Sequence, residues 1–291
     1  MTRTTNGIRI LALLVLAVSA GACGAQPDDA APPAGDSATA DEPMQEAEAS
    51  LPPAIVGQGG ALEGTDLQYV DGDTATTGYL AVPDGAGPFP ALVIIHEWNG
   101  LSDRVRQLAD DLADEGYVTL AADLFGGRTG STPDENRALV AEVNENPDAM
   151  IANLNAAVAY LRGREDLTGR VGAMGWCFGG GIALSFGLDG DNHEATAIFY
   201  GRLLDDPQVL ASLDHEVYGT FGELDGGIPP EAVASFESAL EAAGVERDVH
   251  VYDDVGHGFW LRVDEDPATR TAPAEDAWER LKAYLGRTLG G

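Results

Sequence analysis

Residues 170–174 form a largely apolar run that leads into Gly175-Trp176-Cys177-Phe178-Gly179. Gly180 and Gly181 follow at once, and then a helix-compatible stretch over residues 182–188. A strand that enters a helix through so short a turn needs small residues on either side of the middle one, and it pushes that middle side chain outward in a strained conformation. The helix N-terminus behind it presents free N–H groups and the positive end of a dipole, which favour a thiolate and later an oxyanion. This is the pattern of a nucleophile elbow, G-x-S-x-G, with Cys in place of Ser. The pattern is short. With 37 Gly in 291 residues, a Cys has glycine at both −2 and +2 by chance in roughly 2% of cases. The competing reading is a buried cysteine that only packs in a glycine-rich turn, so the rest of the chain has to decide.

Strand-like and helix-like periods alternate from Asp66 onward. Residues 67–70 and 77–82 flank the turn signal Asp71-Gly72-Asp73 and read as a hairpin. Residues 91–95 are continuously apolar, which fits a strand covered on both faces, as in a parallel sheet. Leu101, Val105, Leu108 and Leu112 then share one helical face, with Ser102 placed to cap it. Residues 117–122 make the next buried strand. Thr132-Pro133-Asp134-Glu135 has Thr at N-cap, Pro at N1 and Glu at N3 of a helix, and residues 148–162 carry an apolar stripe. Strands at 195–200, 217–221 and 247–252 follow, with a helix from Pro229-Pro230 to Ala243 that ends at Gly244 and a last helix bearing Trp278, Leu281 and Leu285. Alternating βα units of this kind imply an α/β fold with a mainly parallel, doubly wound sheet.

The N-terminus reads as a targeting segment. Arg3 and Arg9 precede an apolar run over residues 10–18 that closes on Ser19-Ala20-Gly21-Ala22-Cys23, so residues 1–22 have the form of a secretory signal. Cys23 is placed like the acceptor of a bacterial lipobox, although Ala20 stands where Leu is usual. Ala20-Gly21-Ala22 also suits ordinary signal peptidase, so plain secretion is the alternative. Residues 23–60 are rich in Ala, Pro, Asp and Glu and read as a disordered acidic linker, leaving residues 61–291 as one catalytic domain. The expectation is an exported, monomeric lipoprotein of the cell envelope or periplasm, held to a membrane by its N-terminal lipid. With Cys23 lipidated, Cys177 has no disulfide partner, and a lone exported thiol is best understood as buried or functional. Formal net charge is −32, with Lys282 the single lysine. Nothing basic and clustered is available to neutralise phosphates, which argues against a nucleic-acid partner. The acidity reads as a solubility device suited to a salty medium.

A nucleophilic Cys needs a base, an orienter for that base and oxyanion donors. The histidines are His96, His193, His215, His250 and His257. His257 lies in Gly256-His257-Gly258-Phe259, a glycine-flanked loop after the last strand, and is the favoured base. His193 and His215 lie among acidic loop residues and read as solvated; His250 alternates within a strand and reads as structural. Asp225, in the loop after the 217–221 strand, is placed to orient His257, with Glu223 the competing carboxylate and a turn-forming Asp the bland alternative. The order Cys177…Asp225…His257 is that of α/β-hydrolases. Five scattered histidines offer no metal-ligand spacing, and no cofactor is called for.

Four segments in register, His96-Glu97-Trp98-Asn99-Gly100, the Cys177 elbow, Gly222-Glu223-Leu224-Asp225-Gly226-Gly227-Ile228-Pro229 and Gly256-His257-Gly258-Phe259, resemble the dienelactone hydrolase family. The resemblance runs from about Leu62 to the C-terminus. It implies an α/β-hydrolase fold and a hydrolase that cleaves an ester or lactone through a thioester. Cys177 would be the nucleophile, His257 its partner, Asp225 the orienter, and Glu97 the acid that contacts the resting thiol and accepts its proton. It places oxyanion donors at the backbone of Phe178 and near Trp98, and Tyr200 in the pocket. Family arginines that hold a lactone carboxylate have their nearest counterparts in Arg128 and Arg262, both shifted in position, and a general small-ester carboxylesterase with no lactone preference is the alternative reading. A non-catalytic binding lipoprotein on the same scaffold is a third reading, opposed by the presence of Cys177, Asp225, His257 and Glu97 together.

Overall fold

The structure, a computed structural model, describes residues 51–290 apart from residue 192. The expected signal segment, Cys23 and the linker as far as residue 50 lie outside the described residues. An eight-stranded sheet runs in the order β1-β2-β4-β3-β5-β6-β7-β8. Its strands are β1 (Thr65–Leu67), β2 (Gly78–Ala81), β3 (Phe89–Ile95), β4 (Val118–Ala122), β5 (Leu167–Trp176), β6 (Ala195–Phe199), β7 (Val217–Gly222) and β8 (Arg247–Tyr252). β1 pairs with β2 and β2 with β4 antiparallel; every other neighbour pair is parallel. The mainly parallel α/β sheet expected from the alternating pattern and the α/β-hydrolase-like fold implied by the family resemblance are both present.

Both faces of the sheet are covered, which is why its central strands are apolar throughout. On one face Leu92 and Ile94 of β3 pack with α1 (Asp103–Asp114) and α7 (Pro267–Thr288), through Val105, Leu108, Trp278 and Leu281. On the other, Ala91, Val93 and Ile95 pack with α3 (Pro147–Arg162) and α4 (Phe178–Asp189), through Leu154, Val158, Ala183 and Phe186. A third cluster joins α4 to α6 (Pro230–Ala243), through Leu184, Val233 and Phe236. The remaining helices are α2 (Pro133–Glu145) and the short α5 (Pro207–Leu210). The chain steps from β3 outward to β4 on one side, then crosses back past β3 to β5 on the other. The strand order therefore reverses between β3 and β5, and the crevice at their C-terminal ends is where such sheets bind ligands.

Local signals set most element ends. Thr132 and Glu135 make the expected capping box at the start of α2, and Gly244 closes α6 at φ 74°. Three expectations are corrected. Ser102 occupies the N-cap of α1 but makes no side-chain cap bond. The first hairpin strand stops at Leu67 and pairs with Gly78, because Asp73 accepts from Ala75 N and from Thr76 N and Oγ1 and so organises a long loop instead of a tight turn. Folded chain begins before residue 61: Leu51, Ala54 and Ile55 are buried in the α1–α7 core.

Candidate active site

The elbow has the geometry its glycines imply. Cys177 is the N-cap of α4 with φ 57° and ψ −116°, a left-handed backbone that costs a non-glycine residue about 1–3 kcal/mol and is held by its surroundings. Those surroundings are backbone. A Cβ on Gly175 would come within 2.4 Å of Gly179 O, and one on Gly179 within 2.2 Å of Ile95 O. Side chains at either position would drive the elbow away from β3. Cys177 N donates to Phe199 O at 3.0 Å, tying the turn to β6. Phe178, Gly179 and Gly180 open the first turn of α4, where amides have no partner within the helix, and Gly181 N closes it on Cys177 O at 3.3 Å. The Cys177 side chain is half-buried and unpaired in any disulfide.

His257 and Asp225 come together from the loops after β8 and β7. Glu223 N and Leu224 N donate to Tyr252 O and Val255 O, which fastens one loop to the other. Asp225 Oδ1 accepts from the amides of Gly227 at 2.8 Å and Ile228 at 3.2 Å. That leaves Oδ2 for His257 Nδ1, at 2.7 Å. The Cys177 side chain is the second group that acts on the imidazole. Burial alone would lower the His257 pKa; the hydrogen bonds and charges of Asp225 and Cys177 outweigh it and push the group up to about 10. Burial would likewise raise Asp225, but the His257 hydrogen bond and charge, with the two amides, hold its carboxyl below the usual range. Glu223, the competing carboxylate, instead accepts from Asp254 N.

Glu97 ends the loop step out of β3 and is buried. Expected against the resting thiol, its carboxylate is paired with Arg262, Oε2 to Nη2 at 2.5 Å. Desolvation raises its pKa, opposed by Arg262, His257 and Arg104. A buried carboxylate gains most from a guanidinium, which supplies both charge and directed donors. Trp98 lies in the turn closed by Gly100 N on Glu97 O. Tyr200 is fully buried at φ 39°, and its ring meets that of His257 edge-on at 5.0 Å. Burial, then the nearby Glu97, raises its hydroxyl pKa well above the usual value.

The other expected arginine goes elsewhere. Arg128 bonds Phe125 O through Nε and pairs with Glu142 of α2 at the surface. The histidines read as solvated are packed. His193 stacks on Phe186 at 4.6 Å and bonds Thr196 Oγ1, which also bonds His215. His96 is fully buried between Phe125 and Phe178. Its Nε2 accepts from Leu124 N, so Nδ1 carries the proton and donates to Glu97 O. Burial lowers its pKa, and the neutral ring pins the β3 and β4 loops together. Sequence reading missed Arg104. It lies on the polar side of α1, pairs with Asp264 and donates to Leu261 O, and nothing in the local pattern marks it.

A family model described as the dienelactone hydrolase family matches residues 76–289. The chain belongs to the dienelactone hydrolase family. A Methylorubrum extorquens relative that carries the name carboxymethylenebutenolidase is 34% identical over 227 residues, spanning 73% of this chain and 77% of the relative. An Escherichia coli O157:H7 relative of the same name is 28% identical over 232 residues, spanning 76% and 84%. A solved structure from Klebsiella pneumoniae, described as a dienelactone hydrolase, superposes with TM-score 0.68 at 25% identity, covering 77% of this chain and 98% of that one. The protein is a dienelactone hydrolase-like carboxylic ester hydrolase, with the matched region holding every site residue described above.

Proposed function

We propose that Cys177, His257 and Asp225 act as a catalytic triad that cleaves a small ester or lactone through a thioester. The observation that carries this reading is the shared imidazole: Nδ1 is 2.7 Å from Asp225 Oδ2, and the Cys177 side chain acts on the same ring. The thiolate adds to the carbonyl carbon, and the oxyanion forms against the amides of Phe178 and Trp98. Collapse of this adduct breaks the C–O bond, and the His257 imidazolium protonates the departing alkoxide. In a lactone, that oxygen remains in the same molecule. The thioester no longer offers His257 a negative sulfur, so the group's proton affinity drops and the neutral ring becomes the base for water. Water adds, the thiolate leaves, and the acid product departs.

A neutral ester is favoured over an anionic lactone by one specific observation. Arg128 is committed to Glu142 and Arg262 to Glu97, so a substrate carboxylate would have to displace a carboxylate of the protein. Export and lipidation at Cys23 complete the reading and are tested by labelling cells with a fatty acid and following Cys23→Ala. For the chemistry, short aryl esters and a panel of lactones are incubated with the protein and with Cys177→Ala. Cys177-dependent turnover is expected. Turnover that survives the substitution, or none on any compound, would overturn the proposal.

A further inference from the structure

Residues 51–60 precede the segment matched by the family model, yet they are packed against the loop that carries Arg262. Leu51, Ala54 and Ile55 are buried beside Val105, Leu108, Leu112, Leu261 and Val263. Ala54 N donates to Asp111 Oδ2 at 2.8 Å, and Gln107 Nε2 to Gly60 O at 2.7 Å. These bonds fasten the segment to α1. From there it reaches across: Ile55 O accepts from Val263 N at 2.9 Å.

The residues on both sides of Arg262 are thereby fixed from outside the loop. Val263 is held by Ile55. Leu261 O accepts from Arg104 Nη1 at 2.9 Å, and the same guanidinium pairs with Asp264 at 2.7 and 2.8 Å. Gly57 lies against that pair, because a Cβ there would come within 2.7 Å of Asp264 Oδ2. Arg262 O itself accepts from Arg270 Nη1. The Arg262 guanidinium bonds Glu97 at 2.5 Å and lies 3.6 Å from Glu265 Oε1, and a long, rotamer-rich side chain keeps that placement best where its backbone is held, since ordering it costs entropy.

We infer that residues 51–60 are a positioning strap for Arg262: through Ile55 and through the Gly57–Asp264–Arg104 contact they hold its guanidinium on Glu97. The first described residues are thus joined mechanically to the charge balance beside His257, whose charge acts on Glu97. The inference rests on Cys177 being the reactive group of this site, but it does not require any particular substrate. Released from the strap, Arg262 would leave the buried Glu97 with only the weaker attraction of His257 and Arg104, and the field at the sulfur would turn against anions.

Two charge-neutral substitutions test this, Gly57→Ala and Ile55→Ala. Rates of Cys177 alkylation by iodoacetate, an anion, and by neutral iodoacetamide are followed by peptide mass spectrometry, with folding checked by near-UV dichroism. Arg262→Gln marks the full effect. In each strap variant that folds, the iodoacetate-to-iodoacetamide ratio should fall by about threefold or more towards the Arg262→Gln value, with the iodoacetamide rate little changed. A loss of stability alone would not move that ratio. A wild-type ratio in folded Gly57→Ala or Ile55→Ala protein, or in Arg262→Gln, would overturn the inference. Failure of the hydrolase proposal looks different: alkylation would follow the expected pattern while no ester is turned over.

Discussion

Glu97 and Arg262 are 165 residues apart in sequence and meet at 2.5 Å, one from the end of β3 and the other from the loop after β8. Glu97 is buried and Arg262 is the foremost opposite charge acting on it, while Arg262 is 30% exposed and lies within 3.6 Å of Glu265 as well. Removing one partner strands a charge, whereas removing both leaves two groups of similar shape and no charge. Arg262→Gln is expected to destabilise the fold by about 3 kcal/mol, and Glu97→Gln with Arg262→Gln by less than the single change. Denaturant unfolding of both singles and the double completes the cycle. Additive singles would show that the pair is not coupled.

The imidazole of His257 should titrate according to its two partners. Its raised pKa of about 10 comes from the hydrogen bonds and charges of Asp225 and Cys177 overcoming burial. The associated stabilisation is full below the ordinary value of 6.5 and is lost as pH rises through about 10. Cys177→Ala removes one partner, so the midpoint seen in imidazole NMR should fall. An unchanged midpoint would mean the sulfur does not bear on the ring.

Acid should unfold the protein partly through His193. Burial first, then His215 and Arg162, lower its pKa to about 4, against the opposing Asp191 carbonyl and Asp214. An unfolded chain binds that proton more readily, so the contribution is full above about 6.5 and is lost as pH drops towards about 4. The full span amounts to about 3 kcal/mol. His193→Phe keeps a ring on Phe186 and removes the titration, so the difference in unfolding free energy between pH 7 and pH 4.5 should shrink. An equally steep acid limb in the variant would assign it to other groups.

Gly179→Ala pits two effects against each other. Helix propensity favours Ala by about 1 kcal/mol. The added Cβ would lie 2.2 Å from Ile95 O and 2.5 Å from His96 O, and backbone atoms cannot step aside as a flexible side chain can. The clash wins, with an expected loss of at least about 3 kcal/mol, or of ester turnover if the elbow shifts instead. Thermal unfolding and kcat together check it; a variant with wild-type values in both would refute the close-approach account.

Several features were legible because short-range physics enforces them. The continuous apolarity of residues 91–95 announced a doubly covered strand, and β3 is one. The glycines around Cys177 announced a backbone with no room for side chains. Thr132 and Glu135 needed only each other to start α2. The order of Cys177, Asp225 and His257 placed each after a strand, and parallel β5, β7 and β8 point those ends to one side.

Only the tertiary structure could decide where long side chains found their partners. Arg262 and Arg128 look alike in sequence, as shifted arginines near the site, but one faces the buried Glu97 and the other the surface Glu142. His193 lies among acidic residues that suggest solvent, yet Phe186 and Thr196 enclose it. Residues 51–60 have a linker's composition, and three apolar side chains among them, Leu51, Ala54 and Ile55, bury against α1. The reason is common to all three. Backbone constraints act between neighbours in sequence, whereas the partner of a charge or of an isolated apolar residue is set by what the sheet order brings beside it.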